Sequence, residues 1–363
     1  MIYAGCDAHK RYSLFVLMNE RGPVGRPIRV EHDRILYRRF LEDLPRGTSI
    51  AVETIGSWYW MIDEMEAAGH NPILAHARKA KLMMGQINKT DKLDAGGLAQ
   101  LLRNGTLPEV WIPPKEVRDQ RELPRMRMAL VRIRTTLKNR IQATLAKYAI
   151  TIDDTSDVFG KKGRAILAGR LAELPPQTRL SVEMELGLLD QVGDQIGRSE
   201  EQIRGVVAET PAIQLLMTLP GVGLILGVVL ALEIGDVDRF GSAERLASYA
   251  GTVPRIAASG GKIRYGRTRP DVNHYLKWAF SEAANVVAAN YGRWSDRHVA
   301  RLYGRLRERK GHGKAVGAVA RHLAEAAFWM LKKKEQYRDP LSSSNSSTRK
   351  ETRGSPEEEN LDP

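Results

Sequence analysis

Hydrophobic positions recur at two periods along this chain, and the change of period divides it. Ile2 to Cys6 is a short apolar run that stops at Asp7. Tyr12 to Met18 is a second run, closed by turn residues from Asn19 to Gly22. Arg26 to Val30 predicts a third, hairpin-related strand. Ile35, Leu36, Phe40 and Leu41 have helical spacing over 34–44, and Thr48 to Val52 reads as a buried strand ending at Glu53. Trp58 to Ala68 predicts a helix, Pro72 to Ala75 a strand, and Asp91 to Arg103 a helix with Leu93, Leu98, Leu101 and Leu102 on its apolar stripe. Strands first, then helix and strand in turn, predict a mixed α/β domain over 1–110.

The pattern then turns helical. Leu130, Ile133, Leu137, Ile141 and Leu145 recur at spacings of three and four within Lys115 to Lys147. Leu186, Leu189, Val192, Ile196 and Ile203 repeat like a coiled-coil seam within Leu180 to Val207. Two such helices can pair within one chain or between subunits, so 111–210 is predicted as a helical, coiled-coil-like middle region. A mostly α C-terminal domain is predicted over 211–335, with connections at Pro220-Gly221-Val222-Gly223, Ser259-Gly260-Gly261 and Gly311-His312-Gly313. The remainder, 336–363, is rich in Ser, Asn, Glu and Pro and predicts disorder.

Charge narrows the choice of partner. The 363 residues carry a formal net charge of +13, and the last 25 are acidic on balance, so the body is more basic still. Such an excess favours a polyanion, because Lys and Arg gain affinity by releasing phosphate counterions. Ten basic and three acidic residues fall between Lys115 and Lys147. Arg118, Arg121, Arg125, Arg127, Arg132, Arg134, Lys138 and Arg140 are therefore expected on a basic outer face that binds nucleic acid. One cysteine, Cys6, permits no internal disulfide, argues against a cysteine-based zinc site and suits a reducing cytoplasm. The start lacks a signal-peptide pattern, and no apolar run reaches the roughly 18 residues of a membrane span.

Four carboxylates occupy particular places. Asp7 and Glu53 end strands of one predicted sheet, and strand ends at a sheet edge are where α/β sites form. Asp91 and Asp94 lie three apart at a helix start, with Thr90 as candidate N-cap, and share a face. Each alone fits a turn or cap. Together they would repel one another, and a hard divalent cation, Mg²⁺ or Mn²⁺, would relieve that repulsion. Farther on, Leu219-Pro220-Gly221-Val222-Gly223 resembles a helix-hairpin-helix turn, in which Gly221 and Gly223 let backbone N–H groups face a phosphate; a tight turn between packed helices reads equally well. Ser259 stands beside two glycines among Arg255, Lys262, Arg264, Arg267 and Arg269. Those cations can hold a phosphodiester, with Lys262, Arg264 and Arg267 as the candidate contacts.

These segments resemble a known family. Gly5-Cys6-Asp7-Ala8-His9-Lys10, Val52-Glu53-Thr54 and Lys89-Thr90-Asp91-Lys92-Leu93-Asp94-Ala95 are similar to the Asp-Glu-Asp-Asp motif of the one-ten insertion-sequence transposases. The Pro-Gly-x-Gly turn, Tyr249-Ala250-Gly251-Thr252-Val253-Pro254 and Ser259-Gly260 resemble the same family's C-terminal domain. The resemblance implies an RNase H-like, RuvC-type N-terminal fold with Asp7, Glu53, Asp91 and Asp94 as metal ligands. It implies Ser259 as a nucleophile that links covalently to DNA during strand exchange. It further implies double-stranded donor and target DNA, a structured guide RNA, a dimer or tetramer, and residence in the bacterial cytoplasm with the nucleoid. The alternative is a Mg²⁺-dependent junction-resolving endonuclease that uses the same acids with water and has no need of Ser259. An ATPase of the actin and sugar-kinase class is disfavoured, because Ala8-His9-Lys10 is no Gly-rich phosphate loop. A non-catalytic nucleic-acid-binding protein, with the acids as helix caps, would lack metal-dependent strand exchange.

Overall fold

The computed structural model describes residues 1–85, 90–206 and 210–340. Lys89 of the acidic-helix motif and the tail from 341 onward lie outside the described residues. The chain forms two compact units, Met1–Pro114 and Lys115–Pro363. The helices expected as a separate middle region belong to the second.

The first unit contains β1 (Tyr3–Ala8), β2 (Tyr12–Asn19), β3 (Gly22–Glu31), α1 (Arg34–Glu42), β4 (Ser49–Glu53), α2 (Trp58–Ala67), β5 (Asn71–Ala75), α3 (Ala77–Met84), α4 (Asp91–Arg103) and β6 (Glu109–Val110). Its six-stranded sheet has the order β3-β2-β1-β4-β5-β6. β1 is antiparallel to β2 and parallel to β4, and β5 is parallel to β4. The mixed α/β expectation holds. α3 and the short β6 are additions that the hydrophobic pattern did not indicate.

Period-two alternation along β1 assigns its two faces. Ala4, Cys6 and Ala8 point into a core with Phe15, Tyr37, Leu41, Ile50, Val52, Met61 and Ile62, under α1 and α2. Trp58 and Trp60 pack against this core. Burial pushes the Cys6 thiol up to about 12, so it is not a reactive group. The opposite face of β1 carries Tyr3, Gly5 and Asp7 and receives α4. Ala95 and Ala99 of α4 are buried there with Val16 and Met18. Contact is so close that a Cβ on Gly5 would lie 1.9 Å from the Ala95 carbonyl oxygen and 2.6 Å from the Ala99 nitrogen.

The second unit contains α5 (Lys115–Lys147), α6 (Lys161–Arg170), α7 (Pro176–Val206), α8 (Pro211–Met217), α9 (Leu224–Ile234), α10 (Ala243–Tyr249), β7 (Pro254–Ser259), β8 (Lys262–Thr268), α11 (His274–Asn290), α12 (His298–Lys310) and α13 (His312–Lys333). α5 and α7 pair within the chain. Val182, Leu189, Ile196 and Ile203 of α7 are buried at intervals of seven, and Ile141 and Leu145 of α5 join Val182 and Leu189 in one cluster. Arg127 pairs with Glu200 at 2.6 Å and Arg140 with Glu185, so the two helices run antiparallel.

The basic outer face expected on α5 is corrected at its N-terminal half. Arg118 and Arg121 are buried. Arg121 donates from Nε and Nη2 to the Leu232 carbonyl at 2.9 and 2.7 Å. Arg125 forks onto the buried Glu233 carboxylate at 2.7 and 3.1 Å. Glu233 also accepts from Asn273 Nδ2 at 2.9 Å, while Asn273 Oδ1 caps α11 by accepting from the Tyr275 and Leu276 N–H groups. These arginines have guanidinium geometry suited to intramolecular acceptors, and sequence spacing does not separate that use from phosphate binding. Lys138 lies 4.0 Å from Asp157. Among the described residues no ion pair forms at Arg132, which is exposed, or at Arg134, which is half-buried.

Three substitutions test this framework. Gly5→Ala should lower stability by about 1–3 kcal/mol or more, because the obstructing atoms are backbone. Gly96→Ala, in α4 with open space around it, should be neutral or stabilising by roughly 0.5–1 kcal/mol. Urea unfolding of both variants checks the contrast. Glu233→Ala removes the buried carboxylate that receives Arg125 and Asn273 and should cost about 3–5 kcal/mol in the same measurement.

Candidate metal and phosphodiester site

The register of the sheet brings the acids together. Cys6 pairs with Val52 and Gly5 with Ala51 across β1 and β4, so Asp7 and Glu53 follow at adjacent strand ends. In-register parallel neighbours share a face. That face is the one α4 covers, since Ala51 packs with Leu98 and Leu101. α4 begins at Asp91, where Thr90 Oγ1 accepts from the Leu93 N–H at 3.3 Å. The N-terminal turn of α4 thereby sets Asp91 and Asp94 at the positive end of the helix.

The side chains that meet are Asp7, His9 and Asp91. One ligating atom from each lies within 4.8 Å of the other two. His9 Nε2 is 3.2 Å from Asp7 Oδ2 and 3.1 Å from Asp91 Oδ2. It is buried and makes no hydrogen bond, although it stands between two carboxylates. His9 Nε2 meets two carboxylate oxygens without hydrogen-bond geometry, as a ligand of a shared cation would, and the two carboxylate oxygens are hard donors. The donor set therefore fits a divalent cation. Tyr12 completes the wall. Its hydroxyl donates to Asp91 Oδ2 at 2.9 Å, its ring packs on His9 at 4.6 Å, and the Arg29 guanidinium lies 3.7 Å from the ring centroid. The bond to Asp91 raises the Tyr12 pKa above its ordinary value and keeps the phenol protonated.

Glu53 and Asp94 stand at the same edge, both half-buried, but neither joins the group within 4.8 Å. His9 and Tyr12 were not singled out from sequence. His9 lies two residues beyond Asp7, a spacing that offered a signal. Tyr12 contacts Asp91 across 79 positions, and nothing local announces that pairing.

The serine region differs from expectation. Ser259-Gly260-Gly261-Lys262 is not a loop between helices but the tip of a two-stranded antiparallel hairpin, with Ser259 paired to Lys262. Gly260 and Gly261 have φ of +55° and +73°, the two successive positive values that a two-residue I′ turn requires. A Gly-Gly pair between two short runs is itself a hairpin signal, and it was available in the sequence. Ser259, Lys262, Arg264 and Arg267 are all exposed. Arg269 is engaged by Asp271 at the hairpin base. At the Pro220 turn, Gly221 backs onto α11, where a Cβ would lie 2.3 Å from the Ala283 carbonyl oxygen. Packing accounts for that glycine. Gly223 is exposed at the N-cap of α9.

If the three converging groups hold a cation, Mn²⁺ at about 100 times its dissociation constant should stabilise the protein by about 2.7 kcal/mol. Asp91→Asn should abolish the rise in melting temperature, and His9→Ala should reduce it. Tyr12→Phe should keep most of it, because the carboxylate remains. An unchanged rise in His9→Ala would make that imidazole a bystander.

Comparison with known proteins finds transposases. Residues 4–150 match the family described as Transposase, the DEDD transposases of IS110, and residues 213–300 match the Transposase IS116/IS110/IS902 family. A probable family 20 transposase of Pseudomonas aeruginosa is 27% identical over 317 residues, covering 84% of this chain and 90% of that protein. The transposase for insertion sequence element IS1111A of Coxiella burnetii is 27% identical over 69% of each chain. The transposase for IS1328 of Yersinia enterocolitica is 26% identical over 65% of this chain and 69% of its own length. With both of its matched segments assigned in this way, the chain carries the transposase domains of the IS116/IS110/IS902 family.

Proposed function

We propose that the chain is a DNA recombinase that exchanges strands between double-stranded donor and target DNA through a phosphoserine intermediate on Ser259. The observation that carries this reading is the convergence of Asp7 and Asp91, from a strand end and a helix start, on one point. The sheet order, two antiparallel connections followed by parallel β4 and β5, supports an RNase H-like domain of the RuvC type. Asp7 and Asp91 would hold Mg²⁺ or Mn²⁺ with His9, and Glu53 and Asp94 would close on it when DNA is bound. A divalent cation supplies Lewis-acid stabilisation of charge on phosphate oxygens.

The chemistry assigned to the chain's own groups is as follows. Ser259 Oγ forms a bond to phosphorus as the bond to the 3′ oxygen breaks. The serine proton passes to a carboxylate of the acidic site, and the departing 3′ oxygen takes up a proton. A 3′-hydroxyl from the other DNA then attacks the phosphoserine, releasing Ser259 and joining the strands. Bond energy is conserved, so no nucleotide hydrolysis is needed. Lys262, Arg264 and Arg267 offset phosphate charge beside the serine. Ser259 meets the acids in the assembled DNA complex, from the same or a neighbouring protomer of a dimer or tetramer. The family resemblance extends the reading to a structured guide RNA that selects both DNAs, with exposed Arg132 among the contacts, and to action at the nucleoid. No helix among the described residues is long and apolar enough to cross a membrane.

Ser259→Ala is the deciding variant. The parent chain should form protein–DNA adducts that survive denaturing electrophoresis, and Ser259→Ala should form none. Adducts persisting in the variant would remove the serine from the chemistry. Metal-dependent cleavage persisting without adducts in either protein would instead fit a junction-resolving endonuclease.

A further inference from the structure

The β7–β8 hairpin has two faces of different chemistry. Directly opposed residues of an antiparallel pair lie on one face. Ile256 opposes Tyr265, and Ala258 opposes Ile263. Ala257 opposes Arg264, and Ser259 opposes Lys262. The ribbon is thus apolar on one side and basic on the side that carries the serine. The apolar side is bare: Ile256, Ile263 and Tyr265 are 60%, 61% and 70% exposed. Residues 254–268 contain Arg255, Lys262, Arg264 and Arg267 and no carboxylate. Near the body a register irregularity between Pro254 and Ile256 interrupts the ladder, and Lys277 Nζ donates to Thr268 Oγ1 at 2.7 Å, fixing the second strand to α11. The base is held and the blade is free.

Large apolar side chains on a bare two-stranded ribbon need an occupant. The absence of any acid on the ribbon and its four cations select a polyanion. The surface that offers flat apolar faces inside a frame of anions is a run of nucleic-acid bases between phosphates. A ribbon of six and seven residues in its two strands is roughly 20 Å long, and a two-stranded ribbon fits a DNA groove. Apolar wedges that enter base steps unstack them and kink the duplex.

We propose that this hairpin is a base-step wedge, in which Ile256, Ile263 and Tyr265 enter opened DNA bases while Lys262 and Arg264 grip the flanking phosphates and so present one of them to Ser259. The inference rests on the recombinase reading for its substrate. It adds that the preferred substrate is DNA with unstacked bases, and that the hairpin does the opening.

The test uses the full chain and a short duplex in two forms, fully paired or with unpaired central bases. Affinity is read by fluorescence anisotropy over a salt series, and unstacking by the brightening of 2-aminopurine in the paired form. The parent protein should prefer the unpaired form and brighten the probe. Ile256→Ser/Ile263→Ser/Tyr265→Ser should lose on the order of tenfold of that preference, as expected for a lost base-stacking platform, and lose the brightening while keeping its salt dependence. Tyr265→Phe, which keeps the ring, should behave like the parent. Lys262→Gln/Arg264→Gln should bind both forms more weakly with a salt slope shallower by about two, and keep the preference. Retained preference and brightening in the triple serine variant would overturn the wedge. A triple variant that binds DNA like the parent but changes its sedimentation would overturn it too, and make the apolar face a contact between protein copies. Binding of both forms by the parent with no preference also overturns the wedge alone. Failure of the parent to bind either duplex in a salt-dependent way overturns the recombinase reading with it.

Discussion

The acidic site depends on one steric permission, the absence of a side chain at Gly5. α4 rests its backbone directly on β1 because nothing intervenes between Gly5 and the Ala95 carbonyl. Asp7 lies two residues along the same strand and therefore on the same face. Asp91 lies one turn before Ala95 on the helix. The distance at which those carboxylates meet is thus set by backbone touching backbone. Small residues at 95 and 99 extend the seam, and the apolar rows on the far side of the sheet hold β1 flat against it.

Within that frame the site mixes rigid and adjustable parts. Asp7 is fixed in the sheet and largely shielded, with 14% of its side chain exposed, whereas Asp91 at the helix start is 44% exposed and is steered by Tyr12. Glu53 and Asp94 stand nearby without closing in. Repulsion between the Asp7 and Asp91 carboxylates opposes closer approach in the absence of positive charge.

Much of the first unit was legible because half-buried strands and amphipathic helices impose the periods that sequence reports. Tyr12 to Met18 and Asp91 to Arg103 match their elements to within a residue. The order of strand-end acids and helix acids was legible for the same reason. What escaped was of two kinds. Contacts such as Tyr12 to Asp91 depend on packing between distant segments and leave no local pattern. The fate of a basic residue depends on what faces it: Arg121, Arg125 and Arg132 share one helix, yet the first two are committed to α9 and the third meets solvent. The hairpin was signalled only by its Gly260-Gly261 pair and its short alternating strand at Lys262 to Tyr265, within a region whose other apolar positions follow a helical period.

Asn273 joins these themes. Its amide group binds Glu233, and its carbonyl oxygen starts α11, five residues after β8 ends. Through Glu233 the same carboxylate receives the long arm of α5. One carboxylate thus ties α5 to the helix that follows the ribbon, so removing it loosens both attachments together. Three polar side chains, Arg125, Glu233 and Asn273, form that shared anchorage.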